Sequence, residues 1–92
     1  MKRTFWLLIV MVLLLAAGCA AMNDAITYYN RGVSYAHMGQ YDQAISDYTM
    51  ALAIRPRFAE AYGNRGIAYE YKGQYDQAIS DYNKALEINP RY

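Results

Sequence analysis

GQYDQAISDY stands at residues 39–48 and again at residues 73–82. Extending the match in both directions lays residues 25–58 over residues 59–92 without a gap, and 21 of the 34 positions are identical. Chance would give only a few identities, so the segment is an internal duplication, and its period of 34 residues is that of a stacked repeat. Within the first copy, Tyr41, Ala44, Ile45, Tyr48, Ala51 and Leu52 recur at the spacing of an amphipathic helix. Tyr75, Ala78, Ile79, Tyr82, Ala85 and Leu86 repeat the pattern. Upstream of each, Tyr28, Gly32 and Tyr35, then Tyr62, Gly66 and Tyr69, fall on one helical stripe. Gly39 and Gly73 stand where a left-handed residue ends a helix, and Pro56 and Pro90 stand where a second helix must stop. The spacing predicts helices over about 25–38, 41–54, 59–72 and 75–88. The fold class is therefore all-α: two helix-turn-helix repeats, residues 25–58 and 59–92, following an N-terminal hydrophobic helix.

A 34-residue helix-turn-helix with these small and aromatic positions resembles the tetratricopeptide repeat family, over residues 25–92. Tyr28 and Tyr62 match the family's first aromatic, Gly32 and Gly66 its close-packing glycine, and Tyr35 and Tyr69 its next aromatic. Ala44 and Ala78, with Ala51 and Ala85, match its small residues on the second helix, around the aromatic at Tyr48 and Tyr82. The small residues have a physical reason of their own, since two helix axes approach to about 8 Å only where the side chain between them is tiny. Arg31 and Arg65 depart from the family, which most often has leucine there. Either their stems pack over apolar surface while the guanidinium reaches solvent or Asp47 or Asp81, or they clamp a carboxylate ligand. Gly63 is a second oddity, costing up to about 1 kcal/mol within a helix and expected to widen the face beside it.

The resemblance implies a non-catalytic interaction module whose first helices line a concave groove for a peptide or helix of a protein partner. The groove residues it implies are Tyr29, Asn30, Val33 and His37 from the first repeat, and Asn64, Ile67, Glu70 and Tyr71 from the second. The lysines of the carboxylate-clamp subtype are missing, with Tyr29 and Gly63 in place of one of them, so an aromatic, mildly polar groove suits an apolar segment. The alternative is that these residues coat a solvent face, because two repeats make a short groove. Repeats bury each unit against its neighbours, so an outer face at 75–88 without a cap helix implies self-association as a homo-oligomer, partner-dependent stability, or a fragment of a longer array.

Other chemistries find little support. One histidine, His37, and one cysteine, Cys19, provide no metal cluster and no Cys/His pair, and no catalytic residue or cofactor is expected. No phosphate-binding glycine loop occurs, and Ser34, Ser46 and Ser80 lack a base. Asp42, Asp47, Asp76 and Asp81 recur by repetition, as scaffold or solvated surface. Residues 23–92 carry 7 Lys/Arg and 8 Asp/Glu, a near-neutral balance that offers nucleic acid no basic surface.

Residues 1–22 hold 18 of the chain's apolar residues. Lys2 and Arg3 precede an unbroken apolar run from Phe5 to Ala17, and small residues follow at Gly18-Cys19-Ala20-Ala21, the three-part layout of an export signal. LLLAAGCA further resembles a bacterial lipoprotein signal, although Ala16 stands where such signals usually have a larger aliphatic residue. The resemblance implies a signal peptide at 1–18, a lipidated Cys19 (palmitate among the acyl chains) and a linker to residue 24. It also implies a periplasm-facing membrane anchor in the cell envelope, at the outer membrane because Ala20 replaces the aspartate of inner-membrane retention. Two other readings remain: an uncleaved inner-membrane anchor, and cleavage with secretion.

Overall fold

The computed structural model describes residues 2–92, with side chains described for residues 4–9 and 24–92. It consists of four helices, α1 (Lys2–His37), α2 (Tyr41–Ile54), α3 (Ala59–Tyr71) and α4 (Tyr75–Ile88). The last three lie where the periodicity puts them, and α1 begins much earlier than residue 25. Its backbone is helical through the segment read as a linker, so the first repeat is entered along a continuous helix rather than a loop. Cys19 and its proposed lipid lie outside the described side chains, as does most of the proposed signal. Of that stretch, the described Phe5, Trp6, Leu7 and Leu8 are all exposed. Among the described residues no helix is long and apolar enough to cross a membrane.

The turns within the two repeats are built alike. Gly39 and Gly73 have φ of 73° and 79°, a left-handed conformation that costs glycine nothing. The Gly39 amide donates to the Ala36 carbonyl at 3.0 Å and that of Gln40 to Tyr35 at 2.9 Å, which satisfies carbonyls that the end of α1 leaves open. Gly73 to Glu70 and Gln74 to Tyr69, both 2.9 Å, repeat the arrangement at the end of α3.

Small residues set how closely the helices pair. Ala44 and Ala51 on α2, and Ala78 and Ala85 on α4, are buried against the first helix of their own repeat. A methyl group built on Gly32 would lie 2.7 Å from the Tyr48 ring, and one on Gly66 2.7 Å from the Tyr82 ring, so each tyrosine rests on bare helix backbone. Each hairpin is then clamped by a forked ion pair. Arg31 donates from Nε and Nη2 to Asp47 at 2.7 Å each, and Arg65 makes the same two bonds to Asp81 at 2.8 Å. Both aspartates are 4% exposed, so of the two readings, scaffold or solvated surface, they are scaffold. Held in this geometry, a bidentate pair satisfies the carboxylate that burial would otherwise penalise.

The repeats meet where α3 lies on α2. Leu52, Phe58 and Ala61 form the buried cluster there, with Tyr29 and Tyr62 packed against it. The corresponding surface of α4 has no such cover among the described residues. Tyr41 and Ile45 are half-buried and Leu52 is buried, but their counterparts Tyr75, Ile79 and Leu86 are exposed.

Gly63 serves a different purpose from the one its sequence position suggested. The repeat places Tyr29 and Phe58 in register with Gly63 and Tyr92. In the first repeat the two rings pack at 4.8 Å; in the second, the Tyr92 ring fills the space in which a Gly63 side chain would stand, with its hydroxyl 2.2 Å from the position of an added Cβ. The glycine therefore accommodates a tyrosine rather than opening the groove face.

Gly32→Ala and Gly66→Ala should separate in a urea titration of stability. Alanine returns up to about 1 kcal/mol of helix propensity at either site, while overpacking costs about 1–3 kcal/mol. Tyr48 is fully buried and cannot yield, so Gly32→Ala is expected to destabilise; the half-buried Tyr82 can shift, but the Ala78 carbonyl at 3.2 Å from an added Cβ cannot, so Gly66→Ala should also destabilise, by less.

Candidate functional site

A cavity of about 340 Å³ opens between α1 and α3. Val33, Ala36 and His37 line it from α1, and Asn64, Ile67, Ala68 and Tyr71 from α3, with Tyr41 and Tyr48 of α2 completing the floor and one end. First helices form its walls because residues three and four apart share a face, which puts Val33 with His37, and Asn64 with Ala68 and Tyr71. At the end of the cavity Tyr41 and Tyr71 stack nearly parallel, 5.0 Å between centroids and 4° between planes. Just beyond that stack, Lys72 pairs with Asp42, a second tie between the repeats.

Tyr48 is the innermost lining residue. Burial, the neighbouring Tyr29 and the charge of Asp47 push its phenol up to about 12, against a smaller opposing effect of Asn64. Asn64 Nδ2 donates to the Tyr29 hydroxyl at 3.0 Å, which orients the amide across the repeat boundary. The Tyr29 ring lies 5.9 Å from Tyr48 and 4.8 Å from Phe58. Arg31 and Arg65 both have their guanidinium pKa raised, in each case chiefly by the bond to the partner aspartate. Arg65 also donates from Nη1 to Thr49 Oγ1 at 3.1 Å. The clamping of a ligand carboxylate by these arginines is thus replaced by an internal clamp.

Of the eight residues assigned to the groove from sequence, Val33, His37, Asn64, Ile67 and Tyr71 line the cavity together. The other three face elsewhere. Tyr29 packs behind the wall on Phe58, and Asn30 is exposed outside the lining. Glu70 turns toward α4, where it accepts a bond from the Tyr82 hydroxyl at 3.1 Å. Burial followed by that carboxylate pushes the Tyr82 phenol up to about 12. Ala36, Ala68, Tyr41 and Tyr48 join the lining without having been assigned to it. The tyrosines had been read as packing residues, and the signal for their second role was position: they lie on the side of α2 that meets the next repeat. Among the described residues no cluster of His, Cys, Asp and Glu is placed to hold a metal ion.

The model of the tetratricopeptide repeat matches residues 25–58 and again residues 59–92. The chain belongs to the tetratricopeptide repeat family. No curated protein matches it. Among solved structures, the chain resembles MamA with a TM-score of 0.70 and 42% identity, covering 73% of this chain and 39% of that one. It also resembles the first tetratricopeptide domain of Spaghetti (RPAP3), bound to the HSP90 peptide SRMEEVD, with a TM-score of 0.74 and 31% identity. That alignment covers 76% of this chain and 57% of the other. The tetratricopeptide chain described here thus spans between 39% and 57% of the length of these two relatives.

The displaced phenol of Tyr48 gives the repeat boundary an alkaline limit. An unfolded tyrosine ionises near pH 10, whereas Tyr48 stays neutral up to about 12 in the folded chain. The unfolded state therefore releases a proton first as pH rises, so the stability contributed by neutral Tyr48 is complete below about pH 10 and declines from there through about pH 12. Chemical unfolding across that window should show a shallower decline for Tyr48→Phe than for the unmodified chain; identical slopes would show that Tyr48 titrates as an ordinary tyrosine.

Proposed function

We propose that this protein is a non-catalytic adaptor that holds an apolar or aromatic segment of a partner protein in the cavity between α1 and α3, tethered to the bacterial envelope at Cys19. The observation that carries this reading is the makeup of the cavity: apolar walls, the stacked Tyr41 and Tyr71 at one end, and Asn64 and His37 as its polar groups. Aromatic rings offer contact area with little loss of conformational freedom, and a fixed amide supplies hydrogen bonding to a ligand backbone.

The peptide complex of the Spaghetti domain supports a peptide ligand here and separates the two ligand chemistries. SRMEEVD carries two glutamates and an aspartate, while no lysine or arginine lines the present cavity. A neutral segment is the better match, since burying an acidic ligand without a cationic partner is costly. The tether rests on the sequence alone: the basic start, the apolar run and the small residues around Cys19. Anchoring would concentrate the cavity near partners held at the same membrane.

The binding reading is tested by screening the full chain against immobilised peptides that vary in charge and aromatic content. Neutral aromatic peptides should be retained over acidic ones, and Ile67→Glu and Tyr71→Ala should each weaken binding by about ten-fold or more. Asn30→Ala, outside the cavity, should leave it unchanged. Retention of acidic peptides alone, or equal loss in all three variants, would exclude the cavity as the site. Fatty-acid incorporation in cells, abolished by Cys19→Ser, is the corresponding check on the tether.

A further inference from the structure

The two repeats share the segment YDQAISDY on their second helices, and among the described residues the α2 face is covered and the α4 face is not. On α2, Tyr71 of α3 stacks on Tyr41, and Leu52 is 7% exposed beneath Ala61. Thirty-four residues later, Tyr75 is 63% exposed, Ile79 56% and Leu86 44%. Because GQYDQAISDY is identical in both copies, α4 offers a helix of the α3 type the side chains that α2 offers, in the same register. Among the described residues the other helix of that type is α1, in which Asn30 and Arg31 match Asn64 and Arg65.

We propose that the α4 face binds α1 of a second copy of this chain, head to tail, in the geometry by which α3 binds α2. This inference is independent of the cavity's ligand. Three contacts of the internal interface have counterparts across it, while the bond of Asn64 to Tyr29 has none, since Gly63 stands at the position equivalent to Tyr29. His37 of the second copy comes over Tyr75, as Tyr71 lies over Tyr41. Asn30 approaches Tyr82, as Asn64 lies beside Tyr48. Arg65 reaches Thr49 with the nitrogen its aspartate does not use; Arg31 would reach Asn83, the acceptor at the equivalent position. The two arginines differ as this requires, the Arg31 side chain being 56% exposed and that of Arg65, already covered, 18%.

The register also shows why the contact is weaker than its internal template. The ion pair of Lys72 with Asp42 has no equivalent, since Met38 would stand opposite Asp76. Asp24 of the incoming helix takes the place of Tyr92, so the ring of Tyr92 must leave Gly63 as the copies join. The surfaces used on the two copies are different, so the contact is heterologous and can repeat, adding a copy at each end. Every addition sets α1 of the new copy beside α3 and lengthens the short groove by one more wall.

Cross-linking of single-cysteine variants of the full chain in mild detergent tests this, in a Cys19→Ser background. His37→Cys and Tyr75→Cys both alter exposed positions, which leaves the fold intact and is checked by helical circular dichroism. With a short thiol cross-linker, the mixture of the two variants should give a covalent dimer that neither gives alone, and Leu86→Glu in the Tyr75→Cys partner should cut the yield by about ten-fold. Dimers from either variant alone would mean that like faces meet, and would overturn the head-to-tail arrangement. No dimer in the mixture, at concentrations where the variants are folded, would overturn self-stacking and leave the α4 face to a different protein or to a further repeat.

Discussion

Tyr48 lies on the bare backbone of Gly32, and most of the structure depends on that contact. The missing side chain lets α1 and α2 approach, and the ring that fills the gap is 1% exposed and fixed in orientation. From there it faces Tyr29 on the repeat boundary and contributes to the floor of the cavity. One side chain thereby fixes the spacing of a hairpin, the seat of the next repeat and the depth of the groove. Tyr82 repeats the first of these roles on Gly66. Without a third helix pair over it, it is only half-buried and is held by Glu70 instead.

The forked arginine–aspartate pairs add direction to this packing. Apolar contacts between helices tolerate a slide of part of a turn, since area is lost gradually. A planar guanidinium meeting a buried carboxylate through two parallel bonds does not, because a small displacement strands a charge. Tyr28 under Arg31, at 5.2 Å, and Tyr62 under Arg65, at 5.5 Å, hold the guanidinium planes from the other side. Leucine at these positions would supply burial alone.

The duplication made the helices legible, because Gly39, Pro56 and their copies punctuate a pattern written twice. Five residues that line the cavity between α1 and α3 were named by the same mapping. Asp47 and Asp81 were named as partners for Arg31 and Arg65, but other partners could not be read. Glu70 sits on the wheel of α3 one residue before Tyr71, yet Tyr82 claims it for the opposite side. Tyr41 and Tyr48 were assigned to packing because their spacing is apolar, but Tyr41 also stacks on Tyr71 and Tyr48 also faces Tyr29. The burial of Asp47 and Asp81 was hidden by their polarity, although Arg31 and Arg65, standing where a leucine is usual, were the visible half of each pair. The N-terminal helix was expected, but its continuation through residues 19–24 into the first repeat was not. Small residues at 16–21 suit a flexible segment and a helix equally well, and composition does not choose between them.

The exchange of Tyr29 and Phe58 for Gly63 and Tyr92 makes the two repeats interlocking parts rather than interchangeable ones. Each site accepts its own combination of volumes, one ring beside another or a ring over a glycine, and a mixed combination leaves either a hole or a collision. A recombination event that cut the duplication between positions 29 and 58 would separate the members of the first combination. One that moved a whole 34-residue block would carry them together. Drift at these positions is therefore tied in pairs, and the seam along which this chain can be lengthened or shuffled without loss runs between the blocks, not through them.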